Sequence, residues 1–306
     1  CGFWFNHGGE TAVSLALAED GTVSLSVGTP DIGGSRASMG MLAAEELGIP
    51  YEKVRTTIAD TATLGYNEIS HGSRVTFASG LATIEAARDA VKKLCGRAAA
   101  KWGIPEDAVK WENGCAVPSG PNAGDFDPRP LADITAHMGA TGGPISGHFE
   151  ATPEGAGVSF GTHIVDAEVD PETGKTSITR YTVIQDAGKA VHPSYVEGQY
   201  QGGAAQGIGW AWNEEYIYGA DGRLQNPGFL DYRIPVCSDL PMIDTQILEI
   251  PNPNHPYGVR GVGETSIVPP LAAIGNAVSN AMGVRMTHIP MSPPRILAAL
   301  KAAKDS

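Results

Sequence analysis

The spacing of apolar residues predicts strands followed by helices in the first half of the chain. Apolar and polar residues alternate over 11–17 and again over 23–27. Asp20-Gly21 between the two stretches favours a β-hairpin with a two-residue loop. Helical spacing follows over 37–47, and a longer amphipathic pattern covers 76–101.

The second half follows the same order. Alternation over 163–169 and 177–184, with a turn at 170–174, predicts another hairpin, and helical patterns follow at 194–212, 269–282 and 294–303. Two halves that each begin with a hairpin and continue into a helix indicate a repeated architecture. We therefore expect an α+β fold with two α/β subdomains, each with a hairpin or sheet packed against long helices.

The boundary between these halves is expected near a stretch rich in glycine, proline and aspartate at 118–147. We assign residues 1–155 to the first half and residues 156–306 to the second. The chain begins at Cys1 and not at methionine, so we expect a fragment or a processed subunit.

Composition excludes some classes of protein and changes little else. The chain has 306 residues, of which 42% are hydrophobic, enough for a large core. A net charge of -13 with no basic block argues against nucleic-acid binding, and no apolar run reaches the roughly 18 residues of a membrane span. The four cysteines lack CxxC spacing, so we expect reduced thiols in the cytoplasm and no metal site built from this chain.

Two glycine-rich segments precede helices in the first half. Gly33, Gly34 and Ser35 lie in a loop at 28–36, which is either an ordinary strand-to-helix turn or an anion site at a helix N-terminus. Gly72-Ser73-Arg74 lies before the long helix. There Ser73 and Thr76 can act as caps, or the hydroxyls, Arg74 and backbone N–H groups can hold a phosphate.

A third segment, at 198–209, is a predicted helix interrupted by many glycines. Each interior glycine costs about 1 kcal/mol relative to alanine, so something must offset that cost. Close helix packing is one explanation. The other is the approach of a cofactor to the backbone, with Gln199 binding a planar heterocycle.

The fourth segment, at 255–265, ends in Gly263-Glu264-Thr265, directly before an apolar run. A glutamate in this position is expected to be partly buried, and a shielded carboxylate can serve as a general base. Alternatively, Glu264 is an N-terminal cap for the helix near Pro269.

Together and in this order, the four segments resemble the molybdopterin-binding large subunit of the molybdenum hydroxylases of the xanthine dehydrogenase family. The most specific piece is Gly261-Val262-Gly263-Glu264 after Pro256-Tyr257-Gly258. The run 197–209, with its paired glycines, is nearly as specific. The resemblance covers essentially the whole chain.

The resemblance implies a role for each motif. Glu264 matches the family's catalytic base, which activates an oxygen derived from water for attack on an electron-poor carbon, and Gly263 belongs to the same cofactor-binding loop. Gln199 and Gly72-Ser73-Arg74 match contacts to the pterin and its phosphate. Gly33-Gly34-Ser35 matches a cofactor loop whose usual form is Gly-Gln-Gly. Here Gly34 stands where glutamine is common, so a side-chain amide contact is absent.

The resemblance also implies what this chain works with. The cofactor would be molybdenum-molybdopterin in its cytosine dinucleotide form, and the chain would be the C-terminal half of the subunit. An N-terminal molybdopterin-binding polypeptide, an iron–sulfur subunit and a flavin subunit carrying FAD would be partners. The reaction would be oxidative hydroxylation of an N-heterocycle or aldehyde, as in xanthine dehydrogenases and aldehyde oxidases.

Two alternatives remain open. In the first, the chain is a non-catalytic cofactor-holding subunit or an orphan paralogue with the same fold. The retained Glu264 argues against this alternative. The other is a nucleotide-binding oxidoreductase that uses 28–36 as its phosphate loop. That segment lacks the spaced G-x-G-x-x-G pattern and a following acidic residue.

Overall fold

The structure, a computed structural model, describes residues 1–62 and 64–305. Its strands are β1 (Gly2–Phe5), β2 (Thr11–Leu17), β3 (Val23–Val27), β4 (Val54–Ile58), β5 (Val109–Glu112), β6 (Cys115–Pro118), β7 (Arg129–Pro130), β8 (Ser146–Ala151), β9 (Val158–Val169), β10 (Thr176–Asp186) and β11 (Ile243–Leu248). Its helices are α1 (Ser35–Leu47), α2 (Val75–Trp102), α3 (Leu131–Thr135), α4 (Met138–Thr141), α5 (Pro193–Trp212), α6 (Pro270–Met282) and α7 (Pro293–Lys304).

These elements form two compact units, each built from discontinuous stretches of chain. The first unit contains residues 6–157 and 251–261, and the second contains 1–5, 158–250 and 262–306. The stretch at 118–147, which we expected to lie near a boundary, belongs to the first unit. Its Leu131, Ile134 and Met138 are at most 5% exposed, because they pack as core residues of short helices.

The first unit has a four-stranded sheet in the order β4-β3-β2-β8, antiparallel except for the parallel β3–β4 pair. Alternating residues of β2 and β3, such as Leu15, Leu25 and Val27, are at most 2% exposed, as expected for strands with one buried face. The buried face of α2 packs on β2 and β8 and includes Phe77 and Ile84. A small sheet, β5-β6-β7, completes the unit.

The second unit has a four-stranded sheet in the order β1-β9-β10-β11, and again only the last pair is parallel. Tyr181 and Val183 on β10 are fully buried. They share one apolar cluster with residues of α5, α6 and α7, including Ile208, Ile274 and Ile296.

The two sheets share one plan, which confirms the repeated architecture indicated by the sequence. In each, the first strand of a hairpin also pairs antiparallel with an edge strand. The second strand runs through a helix into a parallel neighbour, as β3–α1–β4 and β10–α5–β11.

The prediction of a two-residue loop in the first hairpin was wrong. Ala18 donates its N–H to the carbonyl of Thr22, so the loop has three residues, 19–21, with Gly21 at φ 76°. A left-handed glycine at the third position is typical of three-residue hairpin loops.

Candidate functional site

The loop before α1 is closed by its own side chains. Gly33 and Gly34 have φ of 65° and 80°, a region that glycine enters without steric cost. Asp31 accepts a hydrogen bond from the N–H of Arg36 at 3.0 Å, and the Ser35 hydroxyl donates to the Pro30 carbonyl at 3.2 Å. A carboxylate of the chain therefore already faces this helix N-terminus, which argues against the nucleotide-binding alternative. Gly34, which stands where the family resemblance implies a glutamine, adopts a left-handed backbone conformation.

The turn before α2 has two successive left-handed residues, Gly72 at φ 57° and Ser73 at φ 52°. A non-glycine residue in this region is under strain of about 1–3 kcal/mol and is frequently found at functional sites. The N-cap of α2 is Arg74, whose side chain makes no capping hydrogen bond. The side chain at the N-cap position therefore does not cap this helix.

Arg74 is fully buried, and its guanidinium contacts backbone. It donates hydrogen bonds to four carbonyl oxygens, those of Gly8, Gly9, Glu10 and Glu68. Burial lowers the pKa of the guanidinium, which nonetheless stays protonated in proteins. The side chain therefore ties residues 8–10 to residue 68, and its phosphate contact remains a prediction.

The stretch 255–261 packs against this turn within the first unit. Asn6 donates to the Gly261 carbonyl and accepts from the Gly261 N–H, both at 3.2 Å. A Cβ at position 261 would lie 1.7 Å from the Ser73 carbonyl oxygen, so only glycine fits. Sequence reasoning missed Asn6, because no local pattern relates residue 6 to residue 261.

His255 begins this stretch and is neutral. It is 5% exposed, and burial lowers its pKa to about 4. Its Nδ1 accepts the N–H of Tyr257 at 3.1 Å, which requires an unprotonated nitrogen. The Tyr257 hydroxyl donates to Glu46 at 2.8 Å, so the segment is held at both residues.

Glu264 lies in the second unit, beyond the point between Gly261 and Val262 where the motif passes from one unit to the other. It is half-buried and follows the exposed Gly263. Its side chain does not cap the 3-10 turn Thr265–Ile267 that begins after it, and the N-cap of α6 is Pro269. The helix-capping explanation for Glu264 is therefore not supported at this 3-10 turn.

The segment that carries Glu264 is fixed on both sides. The Val262 carbonyl accepts from Gln185 at 3.1 Å, and the Ser266 hydroxyl donates to the Gln199 carbonyl at 3.1 Å. Gln199 is itself half-buried on α5. The second unit thus brings together two of the predicted site segments, those of Gln199 and Glu264, while the first unit brings Gly72-Ser73-Arg74 against Gly261.

A family model described as the molybdopterin cofactor-binding domain matches residues 1–241. The chain belongs to this family. The match confirms the family resemblance inferred from the four motifs.

Relatives of this molybdopterin-binding domain are longer proteins. The xanthine dehydrogenase molybdenum-binding subunit of Escherichia coli O157:H7 is 31% identical over 288 residues, which cover 92% of this chain and 38% of the relative. The nicotine 6-hydroxylase large subunit of Paenarthrobacter nicotinovorans is 29% identical over 305 residues, covering 95% and 37%. The chain therefore spans less than two-fifths of the length of these relatives.

A solved structure confirms the α+β fold. Quinoline 2-oxidoreductase from Pseudomonas putida 86 matches with a TM-score of 0.86 and 25% identity, over 96% of this chain and 38% of its own. Among the helices of the described residues, none is long and apolar enough to cross a membrane.

The glycines of α5 in this molybdopterin-binding domain fall into two groups by what surrounds them. A Cβ at Gly203 or Gly207 would lie 2.0 Å from Ser266 or 2.3 Å from Pro270, so these glycines serve close packing. A Cβ at Gly198 or Gly202 would meet no atom of the described residues within 4 Å. The close-packing explanation therefore holds for Gly203 and Gly207, while the approach of a cofactor to the open backbone at Gly198 and Gly202, beside Gln199, stays a prediction.

Proposed function

We propose that this chain is the C-terminal half of the cofactor-binding, catalytic subunit of a molybdenum hydroxylase, with Glu264 as the general base. The observation that carries the proposal is the half-buried Glu264, which does not cap the helical turn after it and whose segment is anchored through Val262 and Ser266. A carboxylate fixed in this way is suited to accept a proton from a positioned oxygen.

The cofactor contacts fall in both halves of the chain. We assign Gly33-Gly34-Ser35 and Gly72-Ser73-Arg74 to the first half of the C-terminal molybdopterin-binding domain, residues 1–155. Gln199 and Gly263 belong to the second half, residues 156–306, together with the catalytic loop. The cytosine dinucleotide is the form of the cofactor that the family resemblance implies, and the loop at 72–74 would bind a phosphate of the cofactor at a helix N-terminus.

When bound, the molybdenum cofactor supplies the oxidising centre for the reaction. The chain's own residues bind and orient it, and Glu264 removes the proton from the water-derived oxygen as that oxygen attacks the substrate carbon. Gly263 leaves the approach to Glu264 without a side chain.

The substrate would be an N-heterocycle or an aldehyde. The names of the nicotine and quinoline relatives support the first class, and the name of an aldehyde oxidoreductase from Megalodesulfovibrio gigas, 30% identical over 302 residues, supports the second. Electrons would pass to an iron–sulfur subunit and from it to a flavin subunit. The word subunit in the names of two relatives supports a heteromeric complex that includes an N-terminal molybdopterin-binding polypeptide.

The test is Glu264→Gln in the complex that co-purifies with the chain. Turnover of a panel of N-heterocycles and aldehydes, with an artificial electron acceptor, should fall on the order of 10²–10⁴-fold, because glutamine keeps the size but cannot act as a base. Molybdenum content should stay at the wild-type level.

Glu172→Gln is the matched control, since Glu172 is exposed in the turn between β9 and β10. It should retain full activity. A Glu264→Gln complex with full molybdenum and wild-type turnover would contradict the catalytic role and leave a cofactor-holding subunit as the explanation.

A further inference from the structure

Two imidazoles and a carboxylate converge in the first unit, at a place that the proposed reaction does not use. The Nε2 atoms of His7 and His71 lie 3.2 Å and 3.4 Å from Oε1 of Glu68. One ligand atom from each residue lies within 4.8 Å of the others. All three side chains are part-exposed, so an ion in solution can reach them.

Both imidazoles hydrogen-bond to Glu68, and the same distances also suit ligands of one metal ion. Ligands that lie about 2.0–2.1 Å from a tetrahedral zinc ion are about 3.3 Å from each other. A charge-assisted N–H···O bond is shorter, at about 2.7–2.9 Å. Both imidazoles of His7 and His71 also aim the same nitrogen at one oxygen of Glu68, so one ligand atom from each residue converges on a single place.

Contacts of the Arg74 side chain hold the two backbone segments that carry His7 and Glu68. The buried guanidinium of Arg74 binds carbonyls on both segments, those of Gly8, Gly9 and Glu10 after His7 and that of Glu68 itself. The two imidazole rings are stacked with their centroids 4.9 Å apart.

Gly9 makes room for the carboxylate. It has φ 78°, and a Cβ there would lie 1.9 Å from Oε2 of Glu68 and 3.2 Å from Nε2 of His7. A side chain at position 9 would therefore displace the Glu68 carboxylate from its place beside His7. Arg74, Gly9 and the three polar side chains form a built site and not a chance meeting of surface groups.

We propose that His7, Glu68 and His71 bind a divalent transition-metal ion, with zinc as the best fit. Imidazole nitrogens suit zinc and its neighbours, whereas magnesium and calcium prefer oxygen ligands. The sequence predicts no metal site in this chain, because His7 lies 61 residues from Glu68 and no local motif joins them.

The metal joins residue 7 to residues 68–71, directly beside the left-handed turn at Gly72 and Ser73. The His7 N–H already donates to the Gly72 carbonyl at 2.7 Å. The ion therefore fixes the geometry of that turn, with a remaining coordination position open to water or to an anion.

The test is a titration of the full 306-residue chain with zinc chloride by calorimetry, and with cobalt chloride by visible absorption. We expect stoichiometric binding in the micromolar range or tighter, and intense cobalt bands of a tetrahedral site. His7→Ala, His71→Ala and Glu68→Gln should each weaken zinc binding by more than the roughly 10–100-fold that loss of an outer-shell partner costs.

His148→Ala is the matched control. His148 is an exposed histidine of the same unit, 3.8 Å from Glu150, and the metal cluster found in the described residues does not include it. This variant should bind zinc like the wild type.

Thermal unfolding distinguishes a variant that has lost a metal ligand from a variant that no longer folds. Zinc should raise the Tm of the wild type and of His148→Ala, but not that of His7→Ala, because an ion that binds only the folded state stabilises it. Absence of stoichiometric zinc binding by the wild type, or equal binding by folded His7→Ala and His71→Ala variants, would overturn the proposal.

Discussion

At the scale of single residues, Arg74 has a role that its motif did not reveal. Its position before a helix, after Gly72 and Ser73, suggested a phosphate contact. The guanidinium fills a buried space lined by four carbonyl oxygens, and the phosphate contact stays a prediction. Sequence pattern reports which residue precedes a helix, but not which way a long side chain turns.

We therefore predict that Arg74→Ala destabilises the chain itself. Each buried carbonyl left without a donor costs about 1–3 kcal/mol, so the free energy of unfolding in urea should fall by at least about 3 kcal/mol. Arg36→Ala, at an exposed arginine that pairs with Asp31, should cost about 0–1 kcal/mol. If Arg74→Ala is as stable as the wild type and loses only cofactor from the complex, the phosphate role is correct.

His163 and His255 make stability depend on pH. Both are at most 6% exposed, and burial lowers the pKa of each to about 4. Between that value and the ordinary pKa of about 6.5, the unfolded chain binds more protons than the folded one. Their stabilising contribution is therefore complete above about pH 6.5 and is lost as the pH falls towards 4.

We predict that the free energy of unfolding falls across this range by roughly 3 kcal/mol for each buried histidine. His163→Gln should flatten part of the slope, because glutamine does not titrate, whereas the exposed His148→Gln should leave it unchanged. The check is urea unfolding at a series of pH values. Equal slopes in the wild type and in His163→Gln would contradict the assignment.

At the scale of elements, neighbouring glycines of α5 differ in what surrounds them. Gly203 faces Ser266, in the turn after Glu264, and Gly202 faces open space among the described residues. We predict that Gly203→Ala lowers the free energy of unfolding by about 1–3 kcal/mol, because the added methyl group overpacks the contact.

Gly202→Ala should instead raise the free energy of unfolding by up to about 1 kcal/mol, since alanine favours helix. In the complex it should reduce cofactor retention, because the methyl group would project from the face proposed for the pterin. Denaturant unfolding and molybdenum analysis of both variants make the check. Equal losses of stability in Gly202→Ala and Gly203→Ala would contradict the claim that one face of α5 is closely packed and the other is open.

The sequence predicted strands and helices well where the spacing of apolar residues is regular along the whole element. The hairpin strands β2 and β3 and the helices α2 and α5 lie within a residue or two of the expected bounds. The edge strands β1, β8 and β11 were missed, because their sequences do not alternate apolar and polar residues as those of β2 and β3 do. Contacts between distant residues, such as Asn6 with Gly261, follow from the folded topology and have no local signal.

At the scale of the whole molecule, the two four-stranded sheets of the chain share one plan. The chain spans 38% of the length of the xanthine dehydrogenase molybdenum-binding subunit of Escherichia coli O157:H7. Since the relatives are much longer than this chain, we expect a complete cofactor site to include residues beyond those of this chain. We predict that the isolated chain does not retain molybdenum. Stoichiometric molybdenum on the isolated chain would show that its own residues suffice.

The most direct test of the account is the molybdenum and pterin content of the complex that co-purifies with this chain, measured by elemental mass spectrometry and by fluorescence of the oxidised pterin. We predict stoichiometric molybdenum and pterin relative to this chain, unchanged in Glu264→Gln and reduced in Gly202→Ala. An intact, folded complex that contains neither molybdenum nor pterin would contradict the central claim that this chain forms part of a molybdenum hydroxylase site.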